Sequence, residues 1–260
     1  MIPELHYKNH KVEAFVFGKS LQNYITEKDP RKQVYQQKEF LSEYFQLPKE
    51  RIFILEQVHG FDCIHITEYD LIQNKNTYYQ KADGMITSLE NTLLCIRTAD
   101  CMPVMFHSHP KKEICFVGIL HIGWRGIVRG LLLNGIKMMH HYIEKIKYEY
   151  KVIKKQSYDS IIGNPITIFP GPYIPGSIYE VDEDVAYQFP IRRKKNDHKY
   201  LLDLWENSVF VLKNLKESRN IEIIDPFDYI NSNQEEIFEK FYSHRRGDTF
   251  RNLNVIYIKE

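Results

Sequence analysis

Short apolar runs alternate along the chain with longer segments of helical spacing. The longest continuous apolar run begins at residue 114 and has the β-branched content of a buried strand. At residues 121–126 the pattern changes, and from residue 127 to about residue 148 apolar side chains recur every three or four positions. The sequence therefore predicts a central strand that leads through a glycine-containing turn into one long helix.

The same patterns predict further elements over the rest of the chain. Strands are expected at residues 12–17, 51–55, 62–66, 92–97, 102–106, 166–169 and 255–258. Helices are expected at 31–45, 179–189 and 200–215, and a loop at 151–164. Strands that first follow one another and then alternate with helices indicate an α/β (α+β) fold of mixed sheets with helices on the outside. No linker divides the chain, so we expect a single domain over residues 1–260.

Charge and composition exclude several classes of partner. The formal net charge is +1, with 35 basic and 34 acidic residues, so we expect no nucleic-acid partner. No apolar stretch approaches the length of a membrane span, and the N-terminal segment lacks the core of a signal peptide. The four cysteines show no Cys-x-x-Cys pairing and are expected to be reduced. These features predict a cytoplasmic protein. We expect it to be a monomer or a weak homodimer, although the residues themselves do not indicate the oligomeric state.

Two histidines and one cysteine lie at the ends of predicted strands. Each of His59, Cys101 and His121 would, alone, more often be an ordinary core residue than a metal ligand. Together, two imidazoles and one thiolate make a set that suits zinc and leaves a fourth position open, as a catalytic site requires. Their spacing matches no zinc finger, so the fold itself must bring them together.

Several polar residues near this set have plausible roles. Asp100 could act as a base or orient a metal ligand, and Gln57 would face the same side of an extended chain as His59. Arg125 lies at a predicted helix start, where a guanidinium and free backbone N–H groups together suit a phosphate.

Two further candidates lie later in the chain. Glu180, after the rigid Pro-Gly-Pro turn, could be a general acid or base, although a lone glutamate is usually solvated. A second cationic cluster follows two aromatic residues and comprises Ser243, His244, Arg245, Arg246 and Arg251.

Six short blocks occur in order along the chain. They are Gln57-Val58-His59-Gly60, Ala82-Asp83-Gly84, Ala99-Asp100-Cys101-Met102-Pro103-Val104, His121-Ile122-Gly123-Trp124-Arg125-Gly126, Gly171-Pro172 with Tyr179-Glu180-Val181, and Phe241-Tyr242-Ser243-His244-Arg245-Arg246. Over residues 50 to 258 they resemble the successive motifs of the YfiH/laccase-domain family, which is polyphenol oxidase-like and FAMIN-like. One departure is Phe250, which replaces a glycine of the family and is expected to fill space near the pocket.

The resemblance implies a metal site and an activity. It implies zinc, with copper as the alternative metal, bound by His59, Cys101 and His121. It also implies phosphorolysis of adenosine, inosine and methylthioadenosine, together with deamination of adenosine. The substrates would then be a purine nucleoside and inorganic phosphate. We therefore predict catalytic roles for Asp100, Arg125 and Glu180, and substrate or phosphate binding by Gln57, Arg125, Ser243, Arg245, Arg246 and Arg251.

Three other interpretations remain open at this point. A copper laccase needs several copper ions, for which the sequence offers one His-x-His pair, His107-Ser108-His109. A metal-free cysteine hydrolase would use Cys101 as nucleophile and His121 as base. A purely structural zinc site would need a fourth protein ligand, such as Asp100 or Cys63.

Overall fold

Two mixed β-sheets form the centre of the fold. The structure is a computed structural model, which describes residues 3–29, 31–74, 78–108, 115–154, 166–215, 221–225, 227 and 233–260. The five-stranded sheet has the spatial order β1 (Leu5–Asn9), β2 (Val12–Phe17), β14 (Asn252–Ile258), β6 (Leu93–Thr98) and β3 (Ile52–Ile54). The six-stranded sheet has the order β13 (Ile221–Ile223), β9 (Ile166–Pro170), β7 (Met102–Ser108), β8 (Val117–Ile122), β5 (Gly84–Thr87) and β4 (Cys63–Ile66). A small third sheet contains β10 (Glu180–Asp182), β12 (Lys199–Leu201) and β11 (Arg193–Lys194).

Helices lie on the outside of the two large sheets. They are α1 (Gln33–Phe45), α2 (Glu68–Gln73), α3 (Trp124–Val128), α4 (Leu131–Lys154), α5 (Glu183–Ala186), α6 (Leu204–Lys213) and α7 (Gln234–Phe238). Helix α1 covers the outer face of the five-stranded sheet, and α4 packs on β4, β5 and β8 of the other sheet. None of the helices in the described part of the chain combines the length and the apolarity needed to cross a bilayer.

Strand β2 shows how the layers are built. All six of its residues are buried, because both of its faces are covered. Val12, Ala14 and Val16 belong to the core between the two large sheets, whereas Phe15 and Phe17 pack in a second core beneath α1. This alternation follows from the period of two along a strand. The predicted mixed α/β class, with helices outside mixed sheets, is confirmed.

The prediction of one helix over residues 127–148 was wrong in its boundaries and in its continuity. The helical region begins at Trp124 and is interrupted at Gly130, whose φ of +81° is a left-handed conformation that favours glycine. Helix α4 then continues to Lys154, so residues 151–154, predicted as loop, are helical. Residues 155–164 of that predicted loop, and Ile114 at the start of the predicted central strand, lie outside the described residues.

Two later helices are shorter than predicted. Within residues 179–189, the chain forms strand β10 before the single-turn helix α5. Helix α6 begins at Leu204 rather than near residue 200, because Asp203 accepts a hydrogen bond from the backbone N–H of Glu206 at 2.8 Å and caps the helix. Strand β1 and the small third sheet were not predicted.

The strand register brings three distant turns together. Pro103 of β7 pairs with His121 of β8, so Cys101, which precedes β7, lies beside the end of β8. On the other side of β8, the backbone N–H of His121 donates to the carbonyl of Asp83, just before β5, at 2.7 Å. The turn after β3 carries His59 to the same place. The fold therefore brings His59, Cys101 and His121, which are distant in sequence, together at one edge of the sheet.

Candidate metal centre and active site

Three side chains of the metal-ligating type converge at the end of β8. His59, Cys101 and His121 each offer one ligand atom, and these atoms all lie within 4.8 Å of one another. The Sγ atom of Cys101 is 3.8 Å from Nε2 of His59, and the two imidazole rings meet edge to face with their centroids 4.7 Å apart. Within the described ranges, no fourth histidine, cysteine or carboxylate joins this group.

Asp83 orients both histidines. Its carboxylate is completely buried. Oδ1 accepts hydrogen bonds from Nδ1 of His121 at 2.8 Å and from the backbone N–H of His59 at 3.0 Å. Oδ2 accepts from the backbone N–H groups of Gly60 at 2.7 Å and Val58 at 3.2 Å. Because Nδ1 of His121 donates its proton to Asp83, the lone pair on Nε2 stays available to a metal ion.

No local pattern in the sequence indicates that Asp83 has this role. Its only local signal was the Asp-Gly pair before an apolar strand, which indicates a turn. The residue becomes important because three consecutive amides, 58–60, converge on it and hold His59 at a φ of +57°, an uncommon conformation for a residue with a side chain. That convergence depends on tertiary pairing and not on local sequence.

The charges of the cluster lower the pKa of Cys101 and raise the pKa of His121, so a metal ion would bind the thiolate directly and displace a proton from His121. Burial alone would raise the pKa of the Cys101 thiol, but the facing His121 and hydrogen bonds with both imidazoles outweigh burial and lower it. Burial alone would lower the pKa of His121, but the Cys101 thiolate and Asp83 raise it. Burial would likewise raise the pKa of Asp83, yet its hydrogen bonds from His121 and from the amides of Gly60 and Val58 lower it. Asp83 is thus an ionised partner of a thiolate–imidazole pair.

This donor set fits a zinc ion. Zinc accepts thiolate sulfur and imidazole nitrogen at about 2.0–2.3 Å, and three atoms as close as these can share one such ion. Cys63 is buried with a pKa raised to about 12, chiefly by desolvation, and the Asp100 carboxylate is hydrogen-bonded to Ser243 and Arg245. In the described part of the chain, neither of these residues closes the fourth position.

A cavity of about 850 Å³ opens onto the three donors. This volume suits a ligand of the size of a nucleoside with a second small molecule. The wall of the cavity is rich in cations and in aromatic rings, namely Arg31, Arg97, Arg125, Arg245 and Arg251 together with Tyr78, Trp124 and Tyr179. The cavity therefore combines anion-binding groups with flat apolar surfaces beside a metal-type cluster.

Three of these arginines carry charges that no described carboxylate neutralises within 4 Å. Arg125, after the turn at the end of β8, lies over the ring of Trp124, with 4.4 Å from its Cζ to the ring centroid. Arg245 lies over Tyr179 at 5.1 Å and donates to the carbonyl of Glu180 at 2.7 Å. Arg251 donates to three nearby backbone carbonyls. Unneutralised guanidinium groups at a cavity wall are suited to an anionic ligand.

The structure separates the other predicted residues by location. Gln57 lines the cavity, but its amide donates to the carbonyl of Arg97 at 2.7 Å and accepts from the N–H of the same residue at 2.8 Å. It therefore fastens the His59 turn to β6. Ser243 is completely buried and donates to Asp100. The substrate-binding roles predicted for Gln57 and Ser243 stay predictions.

Two further predicted residues, like Ser243, lie outside the cavity wall. The guanidinium of Arg246 pairs with Glu239 and donates to the carbonyls of Phe238 and Phe241, so it holds the backbone beside α7. The carboxylate of Glu180 is ion-paired with Lys195, whose hydrogen bond is the largest cause of its lowered pKa. The roles predicted for Arg246 and Glu180 stay predictions, and both would require these contacts to open.

Phe250 does not line the cavity. Its ring packs against Tyr242, with 5.5 Å between the centroids, at the edge of the core beneath α1. It is not part of the cavity wall, and the expectation that it fills space near the pocket stays a prediction. The following residue, Arg251, does reach the wall.

A comparison with known families decides where this chain belongs. Residues 12–259 match the family model described as multi-copper polyphenol oxidoreductase laccase. The chain belongs to this family. The laccase-domain resemblance noted in the sequence is thereby confirmed.

Individual relatives in this laccase-domain family carry a different name. A purine nucleoside phosphorylase of Rickettsia prowazekii is 26% identical over 260 residues, which cover 96% of each chain. The purine nucleoside phosphorylase YlmD of Geobacillus stearothermophilus is 28% identical over 248 residues, or 88% of this chain and 80% of that one.

Solved structures share the fold. The crystal structure of YlmD from Geobacillus stearothermophilus has a TM-score of 0.63 at 24% identity and covers 96% of this chain and 93% of that one. A Neisseria meningitidis protein has a TM-score of 0.70 at 19% identity and covers 98% and 99% of the two chains.

The laccase-domain chain offers one metal-type cluster among its described residues, whereas a multi-copper enzyme needs several. His107, of the predicted His-x-His pair, is buried, and its Nε2 lies 2.9 Å from the hydroxyl of Tyr7. His109 lies outside the described residues. The donor set thus favours a single-ion site over a multi-copper centre.

Gly123→Ala is expected to weaken metal binding to the cluster. A Cβ atom at this position would lie 3.0 Å from Sγ of Cys101 and 3.5 Å from Cδ2 of His59. The backbone of Gly123 is extended, a conformation that alanine adopts without strain. The effect should therefore come only from the new Cβ crowding the two ligands, and we expect zinc affinity to fall about tenfold. Competition against a chromogenic chelator measures this. In Gly126→Ala, the new Cβ would meet its nearest atom at 3.5 Å, so affinity should not change. Equal affinities in both variants would contradict the prediction.

Proposed function

We propose that this chain is a zinc-dependent purine nucleoside phosphorylase that also deaminates adenosine. The observation that carries the proposal is the position of the His59, Cys101 and His121 donors at a cavity that three arginines line without a carboxylate partner within 4 Å among the described residues, namely Arg125, Arg245 and Arg251. The names of the relatives support the phosphorylase part. Bound at these donors, zinc would act as a Lewis acid and lower the pKa of a water molecule.

Phosphorolysis requires an anion site close to a sugar. We infer that Arg125, Arg245 and Arg251 hold inorganic phosphate and direct one of its oxygens to C1′ of the ribose. The phosphate oxygen bonds to C1′ as the C1′–N9 bond breaks, and the electron pair of that bond goes to the purine, which takes up the proton of the hydrogen phosphate. The products are the free base and ribose 1-phosphate, or 5-methylthioribose 1-phosphate from methylthioadenosine. Adenosine, inosine and methylthioadenosine all contain this bond.

The aromatic wall suits the purine. Trp124 and Tyr179 offer faces on which a base can stack. Burial raises the pKa of Tyr179 to about 12, and the nearby Cys101 adds to the increase, so its hydroxyl stays protonated and can donate a hydrogen bond.

Deamination requires a group that carries a proton between water and the base. Asp100 and Glu180 were predicted for this role. Asp100 lines the cavity, but both of its carboxylate oxygens accept hydrogen bonds from Ser243 and Arg245, and Glu180 is ion-paired with Lys195. A cytoplasmic location, a single domain and a monomer or weak homodimer complete the proposal.

The decisive experiment is an assay of purified, zinc-loaded protein with adenosine, inosine or methylthioadenosine. Free base should appear only when phosphate is present, and inosine should form from adenosine without phosphate. A bacterially expressed Cys101→Ala variant, purified identically, controls for contaminating enzymes. If neither product forms with zinc at one equivalent per chain, the proposal is wrong.

A cysteine hydrolase is the second candidate, because the charges of Cys101 and His121 are those of a nucleophile–base pair. Bound zinc would occupy the thiolate and prevent attack. Whether the Cys101 sulfur binds zinc or is free to attack a substrate therefore distinguishes the phosphorylase from the hydrolase.

Iodoacetamide at pH 7 is expected to modify Cys101 in metal-free protein and to leave the other three cysteines unmodified. Burial raises the pKa of Cys63, Cys95 and Cys115 to about 12, so these thiols serve as internal controls. One equivalent of zinc should protect Cys101, as peptide mass spectrometry would show. Equally fast modification with and without zinc would mean that the thiolate is not a ligand and would favour the hydrolase.

A further inference from the structure

Asp100 connects three segments that are distant in sequence. Its Oδ1 accepts a hydrogen bond from the Ser243 hydroxyl at 2.5 Å, and its Oδ2 accepts one from the backbone N–H of Arg245 at 2.9 Å. Its own carbonyl accepts from the N–H of Ile174 at 3.0 Å. The residue lies two positions after the end of β6 and directly precedes Cys101, so these contacts link the metal turn to the later segments.

The backbone of Asp100 is held in an unusual conformation. Its φ is +85°, which is strained for most residues with a side chain, although aspartate and asparagine tolerate positive φ better than most. Strain of this kind persists only where surrounding contacts maintain it, and it concentrates at functional sites. Here the contacts to Ser243, Arg245 and Ile174 maintain it.

The segment that Asp100 holds, residues 243–248, is closed on itself. The N–H of Ser243 donates to Oδ2 of Asp248 at 2.7 Å, and the N–H of Asp248 donates back to the carbonyl of Ser243 at 3.0 Å. Gly247 completes the turn with a φ of +83°. A closed turn of this kind moves as a unit, so its attachment at Ser243 and Arg245 sets where the Arg245 side chain lies.

The side chain of Arg245 is fixed at its other end as well. Its guanidinium lies over the ring of Tyr179 and donates to the carbonyl of Glu180. We propose that Asp100 is a positioning residue: its carboxylate holds the 243–248 turn against the metal turn, places Arg245 in the cavity wall for phosphate, and does not carry the transferred proton. This rests on the proposed phosphorylase function.

Positioning and proton transfer by a carboxylate have different effects on the kinetics of variants. If Asp100 positions its partners, removing one of those partners should have the same effect as replacing Asp100. If Asp100 transfers the proton, removing a partner should not have that effect. Ser243→Ala keeps the Asp100 carboxylate but removes one of the two hydrogen bonds that this carboxylate accepts. Asp100→Asn keeps the shape and the tolerance for positive φ but loses the charge and one acceptor.

The experiment measures both variants together with Asp184→Asn, an exposed carboxylate on α5, as the control. In both Asp100→Asn and Ser243→Ala, we expect KM for phosphate to rise about tenfold, as for one lost hydrogen bond, with kcat within about threefold of wild type. Zinc content and the shape of the kcat–pH profile should not change. Hydrogen exchange at the Arg245 amide should accelerate about tenfold in Asp100→Asn.

Two results would overturn the proposal. One is a fall in kcat of about 100-fold or more in Asp100→Asn, with an altered pH profile and a normal Ser243→Ala variant, which would assign proton transfer to Asp100. The other is unchanged exchange protection at Arg245 in Asp100→Asn. The exchange measurement needs no turnover, so it decides the proposal even if the wild-type protein shows no phosphorolysis.

Discussion

Replacing Asp83 with asparagine is expected to weaken zinc binding by about 10- to 100-fold, the usual effect of losing a partner that orients a metal-ligating histidine. The carboxylate accepts four hydrogen bonds, two on each oxygen. An asparagine presents one oxygen and one NH₂ group. If the asparagine oxygen faces His121 and His59, its NH₂ group faces the N–H groups of Gly60 and Val58, so donors face donors. If the amide is flipped, the NH₂ group instead faces the N–H groups of the two histidines.

Either orientation leaves two donors without an acceptor, one of them buried and the other partly buried. Each unsatisfied group costs roughly 1–3 kcal/mol, so thermal stability should fall as well as affinity. The turn that holds His59 at positive φ should loosen, and His121 should lose its fixed tautomer. Activity should therefore decrease even at saturating zinc, because the ligands would no longer be held in place.

Chelator competition at 20 °C, where the variant is still folded by circular dichroism, measures the affinity. Asp62→Asn removes a nearby exposed carboxylate and should bind zinc like the wild type. Asp83 has a lowered pKa, so its contribution to stability is present above its ordinary pKa near 4 and is lost only as the pH falls further. Unchanged zinc affinity in Asp83→Asn would show that the histidines orient themselves without it.

The part of this site that sequence could predict is the part that depends on residue type. His59, Cys101 and His121 could be named because zinc prefers imidazole and thiolate ligands and because each follows or ends a predicted strand. Asp83 could not, because its role comes from the pairing of β5 with β8, which no local pattern encodes. The arginines show the same limit: Arg246 and Arg251 look alike in sequence, yet one serves the backbone near α7 and the other reaches the cavity.

The fold shows a similar division. Strands with continuous apolar runs, such as β2 and β8, were predicted because burial on both faces leaves a plain signal. The break at Gly130 was not, because a glycine inside a helix costs only about 1 kcal/mol and is often tolerated. Strands β10, β11 and β12 contain two or three residues each, which is too short for any periodicity to appear.

Replacing Arg125 with methionine is expected to lower kcat/KM for phosphate by about 100-fold, because hydrogen bonds to charged groups contribute about 1.5–3 kcal/mol each. Methionine keeps much of the apolar stem but removes the charge and the donors. Deamination of adenosine uses no phosphate and should stay within about threefold of wild type. Loss of one activity with retention of the other would place Arg125 at the phosphate.

The geometry of Arg125 indicates that lysine should restore only part of this loss. The guanidinium lies over the ring of Trp124, and a planar fork can contact two phosphate oxygens at once. A lysine supplies a point charge without the fork, so Arg125→Lys should fall between wild type and Arg125→Met. Arg193→Met, which removes a surface arginine paired with Glu206, is the control and should leave both activities unchanged.

The assay is steady-state kinetics with phosphate varied at saturating inosine, followed by adenosine deamination without phosphate, on protein with equal zinc content. Equal losses of both activities in Arg125→Met would mean that Arg125 acts on the nucleoside or on the fold of the site. Retention of full phosphorolysis would leave Arg245 and Arg251 as the phosphate ligands. The selective loss is expected because, among the described residues, no carboxylate lies within 4 Å of this guanidinium to neutralise its charge. Of the proposed substrates, only phosphate is an anion that would neutralise it.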